Sequence, residues 1–221
     1  MTPEAAGPRR ISPWWLLPPA LLFALNMATV LATDQGTAEN GVYSGGYLAA
    51  AALTAVILGG YALAAARFSH VDPRASLAVV PPPAGWWRPA GVAFAAILIV
   101  NLALDPVLHG DKAQGITPDR PPHGSEWAIL AISLVVLSVV VPAAEELLFR
   151  GLAFATLGRY AVVGSAALFA FAHALPELLP VVFLSGLALG ALRRRTGSVL
   201  PGMAAHGLLN LTGIVVAVAT S

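Results

Sequence analysis

The sequence predicts an all-α fold, a polytopic transmembrane helix bundle of about seven spans. Two observations lead there. Of its 221 residues 57% are hydrophobic and 10% charged, against roughly 25% charged in an average soluble domain, and the mean hydropathy is +0.78. The apolar residues are gathered into runs suited to a hydrocarbon core of about 30 Å, separated by polar stretches rich in Pro, Gly and Arg. With no cysteine, the chain has no disulfide, no Cys-ligated zinc and no thiol nucleophile, so any chemistry falls to Glu, His, Asn, Ser and Arg. A net charge of +1, with no basic run interleaved with aromatics, argues against nucleic acid as a partner.

The first span is Pro13 to Ala32, where Pro18 and Pro19 predict a kink and Trp14 and Trp15 an interfacial belt. Its length suits a spanning helix better than a signal peptide, although Val30-Leu31-Ala32 resembles a cleavage site. After a polar loop, Thr33 to Tyr43, a span rich in Ala and Gly runs from Ser44 to Ala66. Arg67 to Arg88 reads as a solvent-facing, polyproline-like connector, and Pro89 to Leu104 as a short third span. Asp105 to Ser125 is the longest loop, with Ser125 placed as an N-cap. Glu126 to Leu157 is too long for a straight crossing, and Pro142 offers a bend. Ala161 to Ala174, Pro176 to Leu192 and Val199 to Ala219 complete the count. No internal repeat is evident. The chain reads as one membrane domain, with N-terminal helices and loops over 1–125 and a core over 126–221.

Nine arginines (Arg9, Arg10, Arg67, Arg74, Arg88, Arg159 and Arg193 to Arg195) fall on one side of this topology, against Lys112 and Arg120 on the other. The positive-inside rule then places the N-terminus in the cytoplasm and the C-terminus outside. Arg193 to Arg195 read as an anchor at the lipid headgroups. Eleven Arg against one Lys, with abundant Ala, Gly and Pro, suggest a GC-rich bacterium and so the inner (plasma) membrane.

Inside the fourth apolar run stand Glu145, Glu146 and Arg150. Insertion scales put such charges at about 2.5 to 3.5 kcal/mol each, so an intramembrane ionisable cluster points to a functional site. At about 1.5 Å per residue from the cytoplasmic turns, Arg150 lies about 12 Å deep, Glu146 about 18 Å, Glu145 about 20 Å, His173 about 21 Å, His206 about 14 Å and Asn210 about 20 Å. Three helices thus deliver two Glu, two His and an Asn to one level, expected to open towards the cytoplasmic half. The i,i+4 spacing sets Glu146 with Arg150, as an intrahelical ion pair, and His206 with Asn210. Glu145 points about 100° away from Glu146. A desolvated carboxylate suits a general base, and His206 with Asn210 could donate to an oxyanion.

Glu-Glu-x-x-x-Arg at 145–150, Phe-x-x-x-His at 169–173 and His-x-x-x-Asn at 206–210 resemble the three motifs of the CAAX protease and bacteriocin-processing family of intramembrane endopeptidases (CPBP, or Abi). The resemblance covers about Val141 to Asn210. It implies a CAAX-protease-like core in which Glu145 and His173 activate water, His206 and Asn210 hold the oxyanion, and Glu146 with Arg150 supports the site. It implies a membrane-associated or lipidated protein or peptide as substrate, within the lipid bilayer. The family is often called metalloprotease, so the implied cofactor is none or Zn2+, with Glu145, His173 and His206 as candidate ligands; the sequence has no His-Glu-x-x-His.

Two other classes compete. A proton-coupled transporter would use the carboxylates and histidines as a relay, but the paired broken helices and internal repeats of transporters are missing. A non-catalytic scaffold or bacteriocin-immunity protein would keep the fold and act by binding. A buried His taken singly is more often a packing residue; the combination with two glutamates favours chemistry. Phe169 reads as core, Asn26 and Asn101 as bonded to neighbouring helices, and His70, His109 and His123 as loop residues without assigned roles.

Overall fold

The computed structural model describes residues 11–32, 41–108 and 118–221. Arg9, Arg10, Asp34, Glu39, His109, Asp111, Lys112 and most of the two long loops lie outside the described residues. The described chain is helical: α1 (Leu17–Ala32), α2 (Gly45–Phe68), α3 (Pro73–Ser76), α4 (Trp87–Leu108), α5 (Glu126–Thr156), α6 (Ala161–Ala172), α7 (Leu179–Thr196) and α8 (Leu200–Ala219). Six helices are long and apolar enough to cross a membrane, one fewer than the seven spans expected. The difference is α6, whose 12 residues give only about 18 Å of rise. It stops at His173 because Ala174 takes φ 50° and Pro176 opens the next turn.

Other expectations change for local reasons. Pro18 and Pro19 fall in the first turn of α1, where no intrahelical N–H is needed, so they start the helix rather than kink it. The third span extends to Leu108. Ser125 makes no side-chain cap; instead Glu126 accepts from the His123 backbone N–H at 3.0 Å and pairs with Arg120 at 2.7 Å.

The connector expected to face solvent folds back into the protein. Asp72 caps α3 by accepting from the backbone N–H groups of Arg74 and Ala75, and the following turn drives Leu77 to 0% exposure. A Cβ on Gly151 of α5 would lie 3.2 Å from Leu77, so the strap seats directly beneath the central helix. Val199 N–H donates to Ala78 O at 3.0 Å and the Ser198 hydroxyl to Val80 O at 2.6 Å, tying the strap to the α7–α8 turn.

Three apolar clusters hold the bundle. One joins α1, α2, the strap, α5 and α6 around Leu148, Phe149 and Leu152; a second joins α4, α7 and α8 around Ile97 and Leu189; a third sits at the Tyr43 end with Leu130, Leu137 and Ile214. Between the first two lies the polar site.

Candidate active site

Helix α5 is interrupted twice by wider turns, over Val136–Val140 and Leu147–Ala153. Pro142 explains the first: it has no N–H for Ser138 O, and Val141 N–H reaches back to Val136 O. This is the local departure expected at Pro142, taken as a π-turn. The carbonyls it releases are met by α8. Leu137 O accepts from Asn210 Nδ2 at 2.9 Å, and Ser138 O lies against Gly207, where a Cβ would collide with it.

Between the two interruptions stand Glu145 and Glu146. Glu146 and Arg150 are 0% exposed and paired at 2.9 Å. Arg150 Nη2 also donates to Gly186 O on α7 at 3.1 Å, and its guanidinium lies 4.4 Å from the Phe169 ring centroid. Arg150 O accepts from Arg193 Nε at 3.1 Å, with the Arg193 guanidinium over Phe154. Arg193 is therefore turned into the bundle rather than out to headgroups; Arg194 and Arg195 are the exposed pair.

His206 lies between the two glutamates. Its Nε2 is 3.6 Å from Glu145 Oε2 and its Nδ1 is 3.5 Å from Glu146 Oε1. The 100° offset between the carboxylates does not separate them, because the imidazole presents a nitrogen on each edge. The linkage Arg150–Glu146–His206–Glu145 thus runs from a fully buried cation to a carboxylate with 16% side-chain exposure. Glu146 Oε2 abuts Gly202, one turn before His206, where any Cβ would overlap it. Glu146 Oε2, Arg150 Nε and His206 Nδ1 are buried without a hydrogen-bond partner. Orphaned buried polar atoms cost stability, and a cluster of them marks a place where packing is subordinate to function.

His173 caps α6, and its Nδ1 lies 2.8 Å from Phe169 O. A carbonyl only accepts, so this contact puts the proton on Nδ1 and leaves Nε2 with its lone pair. His173 makes no ion pair with either glutamate; the Phe169 ring stands between the parts of the site, edge-on to His173 at 4.6 Å and to His206 at 5.6 Å. Phe169 is a core residue at 3% exposure, as expected, and also the surface on which Arg150 and both histidines rest.

His173, His206, Asn210 and Phe169 line a cavity of about 100 Å³, which Glu145 reaches through His206 rather than lining it. Asn101 of α4 lines it too. Its Nδ2 donates to Ile97 O of its own helix at 2.8 Å, not to a neighbouring helix, while Asn26 is exposed on α1. The cavity extends from Leu189 to Leu108 and Leu178, towards the end of α7 away from the Gly197 turn.

A catalytic zinc takes three protein ligands at about 2.0 to 2.2 Å around an open position. Among the described residues no three His, Asp or Glu side chains group as metal ligands. Both nitrogens of His206 face carboxylates, so Glu145, His173 and His206 do not fit such a site.

Gly202 and Gly207 escaped the sequence reading, and Asn101 was read only as bonded to a neighbouring helix. The glycines flank His206 at i−4 and i+1, a small-residue signature of close helix contact. Asn101 is 14 residues from the start of α4, about 21 Å along it and level with the glutamates.

Residues 127–212 match the family model described as Type II CAAX prenyl endopeptidase Rce1-like. No curated protein and no solved structure matches the chain.

Proposed function

We propose that this membrane protein, whose residues 127–212 match the Rce1-like, CPBP family model, is an intramembrane endopeptidase that hydrolyses a peptide bond of a membrane-associated or lipidated substrate with an activated water. The observation that carries the reading is the convergence of Glu145, Glu146, His206 and His173 beside a cavity inside the bundle.

In this reading the Nε2 lone pair of His173 orients the water, its ring fixed by the bond to Phe169 O. Glu145, set behind the His206 edge of the cavity, takes the proton through a second water as the nucleophilic oxygen attacks the scissile carbonyl carbon, and returns it by the same route to the leaving amine as the C–N bond breaks. The tetrahedral oxyanion is held by the Asn210 N–H not engaged with Leu137 O and by His206 Nε2–H, which turns to the developing charge from Glu145 Oε2, 3.6 Å away. Glu146, paired with Arg150, fixes the orientation of the His206 ring from its Nδ1 side. No step runs through a metal.

The test is cleavage of membrane-tethered and lipidated reporter peptides by the purified, reconstituted protein, alongside Glu145→Ala and His173→Ala. Cleavage by the wild type, lost in both variants and surviving a strong zinc chelator, is expected. Loss on chelation with rescue by zinc would overturn the metal-free mechanism, and a folded wild type that cuts nothing would overturn the endopeptidase reading.

A further inference from the structure

We propose that Asn101, outside the family-matched segment, is a substrate-binding residue whose Oδ1 accepts a hydrogen bond from a backbone N–H of the peptide in the cavity; the inference rests on the endopeptidase reading. Asn101 enters the cavity from α4, while His206 and Asn210 enter from α8. Its orientation is fixed by chemistry: Ile97 O can only accept, so the amide nitrogen is the atom turned to the helix, and the oxygen is left to the cavity. Oδ1 has no hydrogen-bond partner among the described residues.

The acceptors left on the other walls are His173 Nε2, which orients the water, and Asn210 Oδ1 on α8, beside the oxyanion. The Ser185 hydroxyl donates to Val181 O, His173 Nδ1 is bound to Phe169 O, and Asn210 Nδ2 to Leu137 O. A peptide brings alternating N–H and C=O groups, and an N–H left unpaired in a water-poor cavity is costly. With the scissile carbonyl turned to α8, a neighbouring N–H needs an acceptor on another wall, and Asn101 Oδ1 supplies it. Bonding Ile97 O alone would not require an amide. Thr29, Thr196 and Thr212 make the same i−4 bond with a hydroxyl in this protein.

That comparison supplies the test variant. Asn101→Thr keeps a bond to Ile97 O and draws the remaining acceptor back from the δ to the γ position, away from the cavity; Asn101→Leu removes both. A reporter cleaved by the reconstituted wild type is resynthesised with single N-methyl groups at each amide flanking the scissile bond. Both variants should lower kcat/KM for the parent peptide about 5- to 10-fold, mainly through KM. At one amide, N-methylation should cost the wild type a similar factor and cost the variants nothing further. Equal N-methyl penalties in wild type and Asn101→Thr, or wild-type cleavage by Asn101→Thr, would overturn the role of Asn101 alone. A wild type that cleaves no reporter would refute the endopeptidase reading instead.

Discussion

Replacing Gly202 by Ala is the sharpest perturbation of the site, because it adds one methyl group and alters no polar atom. The new Cβ would overlap Glu146 Oε2, and that oxygen must retreat by about an ångström to reach ordinary contact. Glu146 has little freedom to do so. Its Oε1 is 2.9 Å from Arg150 Nη1 and 3.5 Å from His206 Nδ1, and Arg150 is itself held by Gly186 O and the Phe169 face. Either the carboxylate rotates and loosens both contacts, or α8 moves outward and carries His206 with it. Overpacking of this kind costs about 1 to 3 kcal/mol of stability, and the part of that strain carried by the Glu146–His206 contact should lower kcat/KM, by about 100-fold at most. The assay is reporter cleavage in proteoliposomes, with unfolding in mixed micelles measured on the same preparations. Gly213→Ala is the control on the same helix, since a Cβ there meets nothing within 4 Å; it should change stability by less than about 0.5 kcal/mol. If Gly202→Ala matches Gly213→Ala in both measurements, the contact between α8 and Glu146 does not govern the site.

Arg150→Met should destabilise the protein by about 3 to 5 kcal/mol, because it leaves Glu146 buried without its cation. Adding Glu146→Leu should recover most of that stability in micelle unfolding while leaving cleavage abolished, since His206 then has no carboxylate on its Nδ1 edge. Leu77→Ala should cost about 2 to 5 kcal/mol in the same unfolding assay, as expected for a fully buried leucine wedged against Gly151. The absence of cysteine makes topology directly testable. Leu108→Cys, at the cavity end, should react with a membrane-impermeant maleimide on intact cells, and Arg194→Cys only after permeabilisation; the reverse pattern would invert the orientation.

The level of the site was legible in the sequence because charge inside an apolar helix is costly and helical rise is fixed. Counting residues from the turns placed Glu145, Glu146, His173, His206 and Asn210 near one depth, and i,i+4 spacing paired Glu146 with Arg150, which are 2.9 Å apart. Azimuth was harder to read. A straight 3.6-residue helix sends Glu145 and Glu146 to different neighbours, whereas His206, with a nitrogen on each edge of its ring, meets both, and α5 widens on either side of them, at Val136–Val140 and Leu147–Ala153. Pro142 signalled the departure but not its form. The strap was missed for a different reason: Pro81-Pro82-Pro83 dominates the composition of its segment, while the decisive residue is a single Leu77 delivered inward by an Asp72-capped turn.

The segment that matches the family does not enclose its own site. Phe149 of α5 packs on Phe23 of α1 at 6.0 Å, Ala144 lies against Gly59 of α2, and Gly151 against Leu77 of the strap. Without those partners the face of α5 opposite Glu146 would lie in lipid, and the cavity would have no α4 wall. The contrast in legibility follows from the chemistry of a membrane interior. Helix contacts there can be made by generic small and apolar residues, as Ala62, Ala65 and Ala66 of α2 do, so a packing helix needs no motif. Polar groups are expensive and therefore few, and each needs a partner at a defined position. Asn101 is the exception that tests this division: an amide in a packing helix, level with the carboxylates and facing the same cavity. If its oxygen binds substrate, the early spans contribute to recognition as well as to support, and exchanging α4 between relatives should transfer peptide preference along with it.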